Sequence, residues 1–251
     1  MTIRLTEREF ELFQVLIHQQ AGIFVPTARK HQLERKLARR VRELNLTSYE
    51  QYFQRVAGNV EQELVTMLDS LAAKETRFFR DFDQFRFLER HVLRGWDEAA
   101  RSGERPRTVR AWSAGCSTGE EAYSLAMILL DRFPISSGWR VEVIASDLSY
   151  ASLEIARRAE WPQSVMNDIP VRFGRFLQEQ GKMVRGTDEL RSAVRFERLN
   201  LNEMNYPMAG GFDVILCRNV LIYFDGECRR RIVSRLLHHL AADGYLMLGH
   251  A

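Results

Sequence analysis

The sequence predicts an all-α N-terminal unit, residues 1–82, followed by an α/β domain, residues 83–251, whose mostly parallel sheet carries helices on both faces. Three observations predict it. Up to residue 82 apolar residues recur at spacings of three and four, as in Phe10, Phe13, Leu16 and Ile17, with no glycine-bounded alternating run among them. From Arg107 onward, short apolar runs alternate with amphipathic segments. Near the start of that second half, Gly115 and Gly119 frame a small-residue turn between an apolar run and a helix former, the order that opens a nucleotide-binding α/β unit.

Composition sets the bounds. A chain of 251 residues, 45% hydrophobic, can bury one large core or two small ones. The net charge of +3 is too small to define a partner, so only its distribution is informative. No apolar run approaches the roughly 18 to 20 residues needed to span a bilayer, and Met1-Thr2-Ile3-Arg4 leads into a polar helix rather than a secretory signal. A cytoplasmic protein without membrane insertion is therefore expected. Cys116, Cys217 and Cys228 show neither CxxC nor Cys/His ligand spacing, so neither a disulfide framework nor a metal is expected.

Taken in order, the first helix breaks at Gly22, and residues 28–44 then stack Leu33, Leu37, Val41 and Leu44 on one face. The remaining faces are basic. Seven Arg and Lys residues lie between Arg29 and Arg42, with Glu34 the single acid among them. Such a segment is either a solvated face or a docking surface for an acidic partner. Thr47 to Glu50 has capping-box spacing, and 60–73 is a further amphipathic stretch. In residues 74–81 charges flank the pair Phe78-Phe79, which an ordinary helix surface would not use; Phe82, Phe85, Phe87 and Leu88 then predict a linker helix packed between the domains.

Strands are expected at 109–113, 141–146, 194–199, 214–217 and 245–248, with helices at 119–132, 151–158 and 226–240. The interval of about 170–198 breaks the alternation. Its Gly174, Gly181 and Gly186 separate short alternating runs such as Lys182-Met183-Val184 and Val194-Arg195-Phe196, which predicts a small antiparallel β insertion.

Chemistry enters at the first helical turn after Gly119, where Glu120 and Glu121 stand. A dinucleotide site leaves bare N–H groups and a positive helix end there for pyrophosphate, and two carboxylates would repel it. A ligand with adenine and ribose, an ammonium and a sulfonium, but no phosphate, suits this loop: S-adenosylmethionine. The plainer alternative is that the two glutamates offset their own helix dipole. In an open α/β sheet the ligand lies at the carboxyl ends of the strands, and each expected strand end supplies a polar group. Asp147, 32 residues after Gly115, is placed to accept from both ribose hydroxyls. Asn200 and Leu201 can bracket adenine, while Arg218, Asn219 and Tyr223 surround the amino-acid end. Any one of these also fits an N-cap or a strand terminus.

At this point the chain resembles the CheR-type chemotaxis receptor glutamate O-methyltransferases over almost its whole length. The shared motifs are KETRFFRD at 74–81, WSAGCSTGEEAYS at 112–124, ASDL at 145–148, Asn200-Leu201, CRNVLIYFD at 217–225 and Gly249-His250. The resemblance implies a Rossmann-like S-adenosylmethionine-dependent methyltransferase domain with a small β insertion behind a helical receptor-docking domain. It also implies methyl transfer to glutamate side chains of receptor signalling helices, with S-adenosylhomocysteine as product. Carried over position by position, the cofactor contacts are Thr76, Arg80, Glu120, Asp147, Asn200, Leu201 and Asn219, with Gly115, Glu121, Arg218 and Val220 beside them. One departure stands out: where the family usually has Asn, two residues before Thr76, this chain has Lys74; a cation near a sulfonium ligand is unfavourable, so Lys74 is expected either to point away or to weaken cofactor affinity.

The implied reaction asks little of acid or base, because a glutamate with reference pKa near ~4.3 is already ionised at neutral pH. Alignment and exclusion of water remain. Arginine suits the carboxylate because its fork is bidentate, which selects Arg77 or Arg80, with Arg94 as an outlying candidate; Tyr223 would shape the transfer channel. The receptor helices would meet the basic segment 29–42. Relatives that grip a receptor's C-terminal pentapeptide do so by strand addition on the insertion, through a longer hairpin with a Gly-x-Gly element; residues 176–185 here hold only Gly181, so no tether is expected. Two other readings compete. A nucleic-acid methyltransferase would use the basic helix on phosphate, but the block at 217–225 lacks the Asn/Asp-Pro-Pro-aromatic arrangement of base-amino methylation, so no nucleic-acid partner is expected. A cofactor-binding regulatory module without transfer activity would be consistent with Lys74.

Overall fold

The computed structural model describes residues 3–58, 60–71 and 75–249. Among the described residues, four α-helices make the N-terminal unit: α1 (Glu7–Ala21), α2 (Lys30–Glu43), α3 (Tyr49–Gly58) and α4 (Val60–Leu71). Thr6 and Glu9 close a capping box at the start of α1, each satisfying the other's backbone N–H. The apolar stripes meet in a core that includes Phe13, Leu37 and Tyr52, all fully buried.

The linker turns into α5 (Phe82–Phe87), runs through a π-helical turn at Leu88–Leu93 and continues as α6 (Arg94–Ser102). Phe85 and Leu88 lie in the core of the α/β domain, whereas Phe82 and Phe87 are exposed. This helix therefore belongs to the second domain rather than acting as a spacer between the two.

The α/β domain follows as β1 (Thr108–Ala114), α7 (Glu120–Arg132), β2 (Arg140–Asp147), α8 (Tyr150–Arg158), β3 (Glu160–Pro162), β4 (Leu177–Gln180), β5 (Met183–Gly186), α9 (Asp188–Ser192), β6 (Val194–Arg198), β7 (Phe212–Cys217), α10 (Gly226–His239) and β8 (Leu240–Leu248). The main sheet has the order β6-β2-β1-β7-β8, and all its pairings are parallel. Both faces are covered. Val109, Ala111, Val143, Ala145, Val214 and Leu216 enter one core cluster, while Trp112, Ala114, Ile144, Ile215 and Cys217 enter the other, as the period-two alternation of strand side chains requires.

The insertion differs in detail from the expected interval. Its three antiparallel strands, ordered β3-β5-β4, fall within 160–186, and Val194-Arg195-Phe196 pairs instead with β2 at the edge of the main sheet. The alternation of that run is real, but both faces of an edge strand packed under α8 produce the same pattern as a free ribbon.

Several of the basic side chains of α2 are committed within the protein. Arg40 forks onto the buried Glu63 (Nε to Oε1 2.7 Å, Nη2 to Oε2 2.8 Å), and the Tyr52 hydroxyl donates to the same carboxylate at 3.0 Å. Lys30 pairs with Glu7 at 2.5 Å, and Lys36 donates to the Leu71 carbonyl. The exposed Arg35, Arg39 and Arg42, spaced four and three apart, form a stripe on one side of α2. Arg40→Ala should destabilise the full chain by about 2–3 kcal/mol, because it strands a buried carboxylate and a tyrosine hydroxyl. Arg39→Ala, whose side chain is 82% exposed, should cost under about 1 kcal/mol. Urea denaturation of the two variants side by side checks the contrast; equal losses would show that the Arg40 fork is not structural.

Candidate active site

The site is built on the turn that ends β1. Gly115 has φ +87°, and a Cβ there would stand 3.0 Å from Val220 Cγ2; Gly119 has φ +98°, and a Cβ there would stand 2.9 Å from the Ala156 Cβ. Neither place admits a side chain. The N–H groups of Gly115 and Cys116 both donate to the Ser146 carbonyl, at 2.8 and 2.9 Å, which fastens the loop to the end of β2. One residue on, Ser117 N–H donates to Asp147 Oδ2 at 2.8 Å, and Ser149 N–H to Oδ1 at 2.9 Å. Partial burial raises the Asp147 carboxyl above its ordinary range, against the two N–H groups that favour the charged form.

Glu120 and Glu121 separate by the rotation of one helical step. Glu121 accepts from the Ser113 hydroxyl at 2.7 Å and faces the cleft. Glu120 accepts from the Thr118 hydroxyl at 2.7 Å and lies off the cleft wall. Burial pushes both carboxyls up, and for Glu121 the Arg218 guanidinium opposes the shift.

Arg218, at the end of β7, has a side chain only 1% exposed. Its Nη2 donates to the Arg80 carbonyl and lies 3.3 Å from Asp81 Oδ2, its Nε lies 3.4 Å from Glu121 Oε2, and its guanidinium sits 5.0 Å from the centre of the Phe85 ring. Nε and Nη1 nevertheless make no hydrogen bond within the protein.

The linker explains its own odd composition. Phe78 packs edge-on against Trp161 with centroids 5.0 Å apart, and Phe79 stacks on Phe173 at 5.1 Å. Thr76, Arg77 and Arg80 are thereby left on the cleft wall, where Arg80 Nη1 also donates to the Glu75 carbonyl at 3.2 Å. Phe79, Asp81, Ser117 and Asn219 all take positive φ, near 50–56°, and all lie in the segments that shape the cleft.

These elements enclose a cavity of about 280 Å³, close to the lower end of the range of roughly 300–1,000 Å³ for small-molecule sites. Gly115, Glu121, Asp147, Asn200, Leu201, Arg218, Asn219, Val220 and Tyr223 line it together with the linker residues. Glu120 is not on the wall, Arg94 is exposed and paired with Glu98 at 2.9 Å, and Lys74 lies outside the described residues, as does His250. The sequence reading does not place Phe85, Cys116, Ser117 or Ile222 in the site, although they also line the cavity, nor two residues of the helical unit, Ala21 and Ile23. Ile23 bridges Phe224 in antiparallel fashion, Phe24 N–H donates to the Tyr223 carbonyl at 2.8 Å, and Asn200 Nδ2 donates to the Gln20 carbonyl at 2.7 Å. No local pattern reveals such a wall, because its partners are some 180–200 residues apart.

A parallel sheet ordered around its first strand, with a polar cleft at its carboxyl edge and acidic rather than bare helix termini, has the architecture of a Rossmann-like methyltransferase. Comparison with known proteins makes this specific: the chain belongs to the CheR methyltransferase family. Residues 74–251 match the CheR methyltransferase SAM binding domain and residues 8–72 the CheR methyltransferase all-alpha domain. The chain is 36% identical over 255 residues to the chemotaxis protein methyltransferase of Escherichia coli, covering 99% of this chain and 85% of that protein. It is 32% identical over 252 residues to chemotaxis protein methyltransferase 2 of Pseudomonas aeruginosa, covering 98% and 86%. The Borreliella burgdorferi chemotaxis protein methyltransferase is 29% identical over 259 residues, covering 100% and 90%.

Proposed function

We propose that this protein methylates glutamate side chains on the cytoplasmic helices of chemoreceptors, using S-adenosylmethionine and releasing S-adenosylhomocysteine. The observation that carries the reading is the unsatisfied Nε and Nη1 of buried Arg218 beside Glu121 and Asp147 on one cleft wall. That donor set fits the cofactor: Asp147 accepts from ribose hydroxyls, Arg218 answers a carboxylate, and Glu121 answers an ammonium. Gly115, Thr76, Leu201, Val220 and the amides of Asn200 and Asn219 complete the pocket, with Glu120 supporting the loop from behind. When bound, the cofactor supplies an electrophilic methyl group on a sulfonium, so transfer needs no proton to move.

The protein's share of catalysis is then alignment and dryness. Arg77 and Arg80, at the cleft wall, offer a fork to the incoming carboxylate, and Tyr223 borders its path. The helical unit contributes Ala21 and Ile23 to the cleft wall, an apolar edge that favours exclusion of water. The exposed stripe Arg35, Arg39 and Arg42 suits the acidic flank of a receptor helix, with Lys30, Lys36 and Arg40 committed to partners within the fold. Membership of the CheR family does not favour a nucleic-acid substrate.

Three sets of measurements test this. Asp147→Asn should weaken S-adenosylmethionine binding by about 2–3 kcal/mol at neutral pH in calorimetry. Hydroxyl donors favour the ionised carboxylate, so wild-type affinity should be full above the raised Asp147 pKa and fall as the pH drops through it, and the variant should lose this dependence. Unchanged affinity would remove Asp147 from the site. Secondly, radiolabelled methyl should enter receptor-bearing membranes as base-labile ester and should not enter RNA or DNA. Reversing Arg35 and Arg39 to Glu should raise the receptor KM about tenfold at low salt, less at high salt, and leave cofactor affinity alone. Equal KM at low salt would return α2 to a solvated face. Thirdly, the insertion offers only short edges, the three-residue β3 and the four-residue β4, the latter joined to β5 by a two-residue turn at Gly181-Lys182. A receptor-tail pentapeptide should show no binding in a titration; micromolar affinity, about −8 kcal/mol, would establish a tether.

A further inference from the structure

The two domains meet a second time just outside the cleft, where the last turn of α1 faces the start of α10. His18 Nε2 lies 2.6 Å from Asp225 Oδ2, and the donor atoms of His18, Asp225 and Cys228 all lie within 4.8 Å of one another. We propose that these three side chains form a zinc-type metal site that clips the helical unit to the α/β domain.

The chemistry of the donor set is selective. An imidazole, a carboxylate and a thiol together suit Zn²⁺ or Co²⁺, and the nitrogen and sulfur donors disfavour Mg²⁺ and Ca²⁺. Four-coordinate zinc places its ligands about 2.0–2.3 Å from the ion, hence roughly 3.4–3.7 Å from one another. The His18–Asp225 pair would therefore open by about an ångström in place of its hydrogen bond, and the thiol would close in by a comparable amount.

The supporting contacts are those of a ligand set. Asp225 caps α10: its Oδ1 accepts from the N–H groups of Glu227 and Cys228, at 3.0 and 2.8 Å, which fixes the carboxylate and leaves Oδ2 directed at His18. Cys228 is buried, and Arg231 Nη2 lies 2.8 Å from its sulfur, a contact that must swing aside for a cation. Its other arm, Nη1, is already anchored outward on Glu227. His18 and Asp225 are about a third or more exposed, which provides the entry path and room for water as a fourth ligand.

The consequence is mechanical. His18 lies three residues before Ala21, and Asp225 directly follows Tyr223-Phe224, so the site straddles the seam that walls the cleft. Metal loading should therefore hold that seam shut and slow exchange of a cleft ligand.

The test uses tag-free full-length protein, stripped with chelator and titrated with Co²⁺, so its readout does not depend on methyl transfer. One equivalent should give the thiolate-to-cobalt charge-transfer band and the strong visible bands of a tetrahedral site, and Zn²⁺ should displace them. Cys228→Ala should abolish the charge-transfer band, His18→Ala should weaken binding at least tenfold, and Cys217→Ala should change neither. The half-exposed His18 makes its variant safe for folding should Cys228→Ala prove unstable. Absence of a saturable band in the wild type, survival of the band in Cys228→Ala, or unchanged affinity in His18→Ala would overturn the proposal.

Discussion

The buried guanidinium of Arg218 is the contact on which the cleft depends. A charge with 1% side-chain exposure is tolerated only where other groups answer it, and its answers come from three separate segments: Arg80 and Asp81 in the linker, Phe85 in α5, and Glu121 in α7. Arg218 thus holds the linker against the sheet. Two carboxylates face one guanidinium, so the group as a whole leans negative wherever both are ionised, and burial moderates this by raising the Glu121 pKa. A cationic ligand would relieve that raised pKa and a phosphate would aggravate it. The same arrangement that fastens the linker therefore also sorts ligands by charge.

The helical unit is joined to the second domain on both flanks of the cleft. On one side Asn200 reaches the Gln20 carbonyl and Ile23 bridges Phe224; on the other the Asp69 carboxylate accepts from Tyr150 N–H at 3.0 Å and Ala151 N–H at 3.4 Å, at the start of α8 just beyond Asp147. An acidic side chain from one domain thus sits on the helix terminus of the other, where the dipole favours it. Removal of the helical unit would expose an apolar cleft edge and leave these donors and acceptors to water.

What was legible in the sequence follows from the range of each interaction. The parallel sheet, the loop glycines and the polar strand ends are fixed by local rules, since a strand's face and its terminus are set within a few residues. Asp147 and Arg218 could therefore be read directly. Glu120 and Glu121 could not be told apart, because adjacent helical positions differ only by a rotation whose meaning depends on what packs there; Trp161 and Thr118 stand near one, Arg218 near the other. The run at 194–196 has a strand's alternation but no mark of which sheet it joins, and Glu160–Pro162 is too short and too polar to announce itself. Arg40 looked like surface charge for the same reason: its partner Glu63 lies 23 residues away on another helix.

Backbone conformation supports the same division between fold and function. Left-handed geometry costs a non-glycine residue about 1–3 kcal/mol, least for Asn, and Phe79, Asp81, Ser117 and Asn219 all adopt it around one cleft. Such positions persist only where their surroundings over-determine them. Phe79 is held by its N–H on the Ser124 hydroxyl at 2.9 Å and by its stacked ring, Asp81 by Arg218, and Ser117 by its N–H on Asp147. Each restraint is itself a contact that shapes the cleft. The strain and the site are therefore maintained by the same bonds: a change that loosened one of these contacts would release the backbone at the point where the ligand must be aligned.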